Sequence, residues 1–259
     1  MKSNEIPLLE FDSTARAILN PDAFLQPNQI PERLVLCFFG DVIRSQLENG
    51  KLTHRYSLRS EMGEHPIYIY RDEAFPGEEI AVLQPGVGAP LAVGMLEEAI
   101  QLGTRFAIAC GGCGVLDDHV DVGHPFIVSS AVRDEGTSFH YLEPSREAFP
   151  HPDAVRVLEE TLKENGVVYN LSKTWTTDAI YRETVKRREK RLEEGCEVVE
   201  MEASAFFAAA QFRQIKFGQI LYGGDLVKPE GWDGREWVSR VSSRRLLFDL
   251  AVRAVRKLK

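Results

Sequence analysis

The stretch EVVEMEASAFF, residues 197–207, sets Glu200 and Glu202 on either side of Met201, where a β-branched run gives way to an alanine-rich one. Cys196, Val198 and Val199 read as the end of a buried strand and Ala203 to Phe212 as an apolar helix, so both carboxylates fall at a strand-to-helix junction. A carboxylate in a helix's first turn meets unpaired amides and the positive end of the helix dipole, which is one use for Glu202. The other use is chemical: a charged acceptor held where a ligand can reach it. The stretch alone leaves both open.

Asp225 poses a similar choice. It follows an apolar strand and two glycines in YGGD, residues 222–225, where a carboxylate does little for packing. It is either a cap for the loop before Pro229 or an acid for a leaving group. Cys110-Gly111-Gly112-Cys113 has the CxxC spacing of redox motifs and of half a zinc site. A structural zinc needs a second ligand pair at matching spacing, and neither the histidines nor the other two cysteines supply one. A thioredoxin-like motif directly precedes a helix, whereas VLDD comes next here. The glycines are better read as letting backbone approach a ligand closely, and no metal site is expected.

The elements that must position these residues emerge from periodicity. Strands are expected at 33–39, 66–70, 79–85, 105–110, 125–132, 167–172, 196–200 and 217–223. Between them fall a short helix after Gly40 that carries Arg44, one from Leu91 stopped by Gly103, and others at 154–164, 182–194, 203–212 and 237–258. Such alternation implies an α/β fold: a single-domain three-layer sandwich with a mixed, largely parallel central sheet flanked by helices, spanning 33–259. An irregular segment, residues 1–32, with Pro7, Pro21, Pro27 and Pro31, is expected to pack on it. Ligands in these folds gather where strands end, which singles out the loops after Phe39, Pro85, Cys110, Ser172, Val199 and Tyr222.

Composition narrows the function. In 259 residues the hydrophobic fraction is 44% and the charged fraction 27%, ordinary for a globular chain, and the formal charge of -8 argues against broad binding of nucleic acid or an anionic membrane. The most apolar run, 203–212, is too short to cross a bilayer, and no signal-like succession opens the chain, so a cytoplasmic location is expected. The four cysteines fit reduced thiols better than a disulfide framework. GVGAPL (86–91) lacks the third glycine of a dinucleotide fingerprint, and neither GxxxxGK[ST] nor GxSxG occurs.

Several loops together resemble one family. GVGAPLAVGMLEEAIQLGTRFAIACGGCGVL (86–116) is similar to the glycine loop, helix, strand and second glycine turn of the nucleoside phosphorylase and nucleosidase superfamily, of the uridine phosphorylase and hexameric purine nucleoside phosphorylase type. AVRDEGTSFHYL (131–142) resembles its following strand and loop, EVVEMEAS its ribose-binding segment, GDVIR (40–44) its phosphate loop GDPxR, and YGGD the strand end that reads SD in purine-acting members. The resemblance implies cleavage of a nucleoside's N-glycosidic bond with phosphate, a purine nucleoside being favoured. It implies Glu200, Met201 and Glu202 at the ribose, Gly40, Arg44, Gly111 and Gly112 at phosphate, Cys113, Gly114 and Tyr181 at the base, and Asp225 as the acid at a purine's N7. Asp225 and Glu202 would be the catalytic pair. No cofactor is implied beyond inorganic phosphate as co-substrate, and the partners are the nucleoside, phosphate and further copies in a homo-oligomer built from dimers.

Departures from the family pattern shape the alternatives. Ala109 and Gly112 stand where its phosphorylases carry an arginine and a serine or threonine, and Thr184 and Lys186 stand where uridine phosphorylases carry a glutamine and an arginine for uracil. The alternatives are a hydrolytic nucleosidase, a uridine phosphorylase, and a non-catalytic nucleoside-binding protein.

Overall fold

In a computed structural model, which describes residues 3–72 and 74–259, the chain begins with irregular backbone broken by 3-10 turns at Pro7–Leu9 and Pro21–Ala23. This segment is tied to the helices of the domain by Gln29 N donating to Leu102 O at 2.8 Å and by Arg213 Nη1 donating to Ala15 O at 2.8 Å. Then come β1 (Arg33–Cys37), α1 (Gly40–Glu48), β2 (Leu52–Ser60), β3 (Gly63–Tyr70), β4 (Ile80–Leu83), α2 (Ala89–Leu102), β5 (Phe106–Val115) and β6 (Pro125–Asp134). The second half holds β7 (Glu147–Ala148), α3 (Pro152–Glu164), β8 (Asn170–Thr177), α4 (Val185–Glu193), β9 (Cys196–Glu200), α5 (Ala203–Phe212), β10 (Lys216–Lys228), β11 (Gly231–Asp233) and α6 (Val241–Lys257).

Local chemistry sets the helix ends. Pro90 sits in the first turn of α2, where its missing N–H costs nothing, and Gly103 ends that helix with φ 136. Thr184 caps α4 by accepting from Arg187 N. The alanine-rich α5 is buried along nearly its whole length because it lies between α2 and strands β6 and β10. Its Phe206 stacks at 5.0 Å from Phe217 of β10, and burying each such ring contributes roughly 1.5–3 kcal/mol.

The domain is α/β with a mixed sheet, but the sheet is neither largely parallel nor the flat middle layer of a sandwich. β1–β4, β1–β5, β5–β10, β6–β8 and β8–β9 are parallel, while β2–β3, β3–β4, β5–β9, β6–β7, β6–β10 and β10–β11 are antiparallel. β10 pairs with both β5 and β6, which closes β5, β10, β6, β8 and β9 into a barrel, with β1, β4, β3 and β2 extending from it. Closure depends on length. β5 and β10 continue through their glycines instead of turning there, and a bulge between Gly223 and Leu226 bends β10.

One edge of β5 changes partner along its length. Its first half, Phe106–Cys110, pairs with β1, whereas Gly114 and Val115 pair with β9. The gap between these partners, beside Gly111, Gly112 and Cys113, is where the site forms.

Candidate active site

Five chain segments converge at that gap. β1 lies between β4 and β5 in parallel register, so the α1 start at Gly40 and the glycine loop 86–88 emerge beside the middle of β5. Gly114 lies opposite Val199 at the end of β9, and Cys113 opposite Gly223 in β10. Glu202 then reaches back across the site, its Oε1 accepting from Gly88 N.

The two glutamates of EVVEMEASAFF have different jobs. Glu200 Oε2 accepts from Glu202 N and Ala203 N, both at 2.7 Å, while Oε1 accepts from Thr176 Oγ1 at 2.6 Å and Thr174 Oγ1 at 3.3 Å. The carboxylate that caps α5 is therefore Glu200, and its oxygens are engaged inside the protein. The expectation that Glu200 also grips the sugar gives way to a supporting position, because β8 supplies threonines that hold it inward. Glu202 occupies the N-cap position of α5 yet makes no side-chain capping bond there. Burial first, then the nearby charge of Glu200, pushes the Glu202 carboxyl up to about 8, against the opposing pull of the Gly88 and Met201 amides. Met201 is half-buried beside it.

Asp225 stands on the bulge of β10. Its Oδ2 accepts from Trp232 Nε1 at 2.7 Å, and a Cβ placed on Gly114 would come within 3.4 Å of the same oxygen and 3.0 Å of Val199. A side chain at Gly114 would therefore press on Val199, Val227 and Asp225. Arg235 pins the bulge, donating to Gly224 O at 2.9 Å and Val120 O at 2.7 Å. Cys113 is buried, its thiol donating to Tyr222 O at 3.3 Å, and burial together with the charges of Asp225 and Glu200 holds that thiol well above its ordinary range.

The segments expected at phosphate present mostly backbone. Cys110 O accepts from Phe38 N, and Leu116 N donates to Glu197 O, so both face the β1/β9 edge of β5. By the alternation of an extended strand, Gly112 faces that edge too, and it pairs with neither β1 nor β9. Gly111, by the same alternation, turns its backbone toward β10. Gly40 opens α1, whose first amides favour an anion, and Arg44 is exposed with no ion pair among the described residues. A Cβ at Gly112 would meet the Tyr222 ring at 3.3 Å, so a side chain there would have to displace that ring slightly.

CGGC lies inside β5, not in a turn after it. Residues three apart in a strand point to opposite faces, so Cys110 packs with Cys37 in one core cluster while Cys113 joins another. The two thiols do not converge. Tyr181 is 95% exposed on the 3-10 turn Ile180–Arg182 and is not gathered with the others. A cavity of 570 Å³ lies elsewhere, lined by Lys51, Arg71 and Phe75 among others, and shares no residue with this cluster. Glu202, Asp225 and the unpaired Gly112 backbone belong to the candidate cluster at the β5 gap, away from that cavity.

Sequence reasoning missed Glu183, Trp232 and the partnership of Gly88 with Glu202. Burial, then the charge of Asp225, pushes the Glu183 carboxyl up to about 7. Glu183 lies in the link between the 3-10 turn Ile180–Arg182 and α4, and Arg188 of α4 donates through Nε to Val227 O at 2.7 Å and through Nη2 to Leu116 O, strapping the helix that follows it to β10 and the end of β5. Nothing in YRETVKRREKR marks Glu183 apart from its charged neighbours, whereas the second glycine of GVGAP was a visible signal for an unusual backbone.

The model of the phosphorylase superfamily matches residues 32–246. A guanosine phosphorylase from Halorubrum lacusprofundi is 27% identical over 153 residues, covering 59% of this chain and 64% of that protein. A uridine phosphorylase from Thermococcus kodakarensis is 28% identical over 153 residues, covering 57% of this chain and 55% of that one. These two relatives are matched over less than two thirds of their own length. The crystal structure of uridine phosphorylase from Vibrio fischeri ES114 superposes with a TM-score of 0.73 at 21% identity, covering 90% of this chain and 95% of that one, so the fold is shared. Among the described residues no helix is long and apolar enough to cross a membrane.

Proposed function

The chain belongs to the phosphorylase superfamily, and on that premise we propose that the cluster cleaves the N-glycosidic bond of a nucleoside with phosphate, releasing the free base and ribose 1-phosphate. The observation that supports this reading is that two carboxylates come to the glycine segments bordering the β5 gap: Glu202 accepts from the Gly88 N–H of the glycine loop, and Asp225 lies against Gly114 of β5.

Bond cleavage builds positive charge on the sugar and negative charge on the departing base. Glu202 accepts the sugar's hydroxyls, with Met201 packed against the ring, and its charge favours the cationic sugar. Because burial and the charge of Glu200 favour the neutral Glu202 carboxyl, binding that calls on its charged form is coupled to proton release. Asp225 donates a proton to the base, lying against Cys113, Gly114 and the Glu183 carboxyl. A phosphate oxygen attacks C1′ on the other side, with phosphate held by Arg44, the amides at the start of α1 from Gly40 onward, and the Gly112 amide; Gly111 helps by letting Phe38 pack close to the strand.

A purine base is favoured because an acid at Asp225 suits N7, and similarity to a guanosine phosphorylase supports it. A uridine phosphorylase reading fits the relatives equally well. Hydrolysis is the second reading, favoured by Ala109 and Gly112, which offer phosphate no side-chain donor. The proposal includes a cytoplasmic homo-oligomer built from dimers, and needs no cofactor besides phosphate as co-substrate. A panel of purine and pyrimidine nucleosides, scored for free base, tests it. Purine nucleosides should release base fastest. Release from uridine alone would overturn the purine preference, and binding without release from any nucleoside would overturn the enzyme.

A further inference from the structure

We propose that the backbone N–H of Gly88 is a positioning group for Glu202, holding one carboxylate oxygen at the start of α2 so that the other faces the sugar's hydroxyls. This rests on the reading of Glu202 as the sugar's acceptor. Glu202 is free to be held this way because Glu200 has taken over capping of α5, accepting the amides of Glu202 and Ala203. The Glu202 side chain makes no capping bond to its own helix and instead accepts from Gly88, in the N-cap position of a different helix.

The backbone at Gly88 is what aims that N–H. Its φ of 96 and ψ of 137 lie in a region essentially reserved for glycine. The space a Cβ would enter is open, with no atom within 4 Å. An alanine therefore fits sterically but resists the conformation, so it perturbs the direction of the N–H more than the packing.

Charges around Glu202 make this contact consequential. Glu200 at the end of β9 and Asp178 beyond β8 both face it and favour its neutral form, while the Gly88 and Met201 amides oppose them. Among the described residues Glu202 forms no ion pair. Turning the Gly88 amide away leaves the carboxyl harder to ionise and its second oxygen unfixed.

The test is the pH dependence of kcat/KM in the full-length Gly88→Ala protein. The expected result is a roughly tenfold loss, the size of one lost hydrogen bond to a charged group, with the ascending limb moved to higher pH. Gly94→Ala, in the same helix with open space around it, should leave the limb in place. An unmoved limb in a folded Gly88→Ala protein would overturn the proposal. A second measurement does not depend on that variant folding: in the full chain labelled with ¹⁵N-glycine, the Gly88 amide should shift as Glu202 titrates, and this shift should vanish in Glu202→Gln. A Gly88 amide that ignores pH, or that titrates unchanged in Glu202→Gln, would overturn it equally. If the wild-type protein cleaves no nucleoside, the proposed function fails, while the amide titration still decides whether Gly88 holds Glu202.

Discussion

Replacing Asp225 by asparagine is expected to slow cleavage of ordinary purine nucleosides by roughly 10²- to 10⁴-fold, the range spanned by loss of a positioned general acid. The substitution keeps the side chain's size, and the Asn oxygen can still accept the Trp232 N–H, so the bulge pinned by Arg235 should persist. What is lost is the transferable proton. Nucleosides whose base leaves readily without protonation should therefore be affected far less, and the ratio between the two substrate types is the quantity to measure. Equal losses for both would make Asp225 a structural or sugar-binding residue and remove the main support for a purine substrate.

The second large effect is expected at Glu202. Glu202→Gln retains an oxygen for the Gly88 N–H but removes the charge, and a hydrogen bond to a charged group is worth roughly 1.5–3 kcal/mol, or about 10- to 100-fold in turnover. The same variant should change stability in a defined direction. The Glu202 carboxyl is raised to about 8 in the folded protein from an ordinary 4.5. Between those values the folded state keeps a proton that the unfolded chain releases, so stability present at acid pH is lost as pH rises through this window. Glutamine has no such proton to keep. Thermal melts should then shift in favour of the variant between pH ~5 and pH ~9, an interval bracketing that linkage window. Melting curves that stay parallel across the range would contradict a buried Glu202 that favours its neutral form, and unchanged kinetics would remove it from the sugar.

How much of this could be read from the chain depended on whether the determining contact was local. α5 and β9 fall where the apolar patterns place them, at Ala203–Phe212 and Cys196–Glu200. β2 was not legible because its burial alternates poorly: only Leu52 and Leu58 are buried in an otherwise polar edge strand. β5 and β10 looked shorter than they are because glycine is disfavoured in strands by propensity, yet here Phe38, Tyr222 and Val199 press against the glycines of β5, Val115, Phe126 and Trp237 against Gly223 and Gly224 of β10, and extended pairing continues through them. Closure of the barrel depends on β10 meeting β5 and β6 at once, a pairing between distant segments that no local pattern announces.

The site divides in the same way. The sequence left open whether Glu202 caps α5 or faces a ligand, and nothing in it marked Glu200 as the cap. Thr174 and Thr176 on β8 assign the cap to Glu200, and Gly88 draws Glu202 away from α5. Glu183 was invisible in a charged run until α4 was strapped against β10 by Arg188. Conversely, the CGGC spacing promised more than it holds, since strand geometry sends its two thiols to opposite faces.

The nucleophile decides between phosphorolysis and hydrolysis, because Arg44 and the free edge of Gly112 favour phosphate while Ala109 and Gly112 withhold side-chain donors from it. The most direct measurement identifies the sugar product as phosphate is raised from none to abundance. Ribose 1-phosphate should appear in proportion to phosphate, with a high half-saturating concentration, and Arg44→Ala should raise that requirement further. Free ribose formed at one rate, whether phosphate is absent or abundant, would contradict phosphorolysis and make the protein a hydrolase.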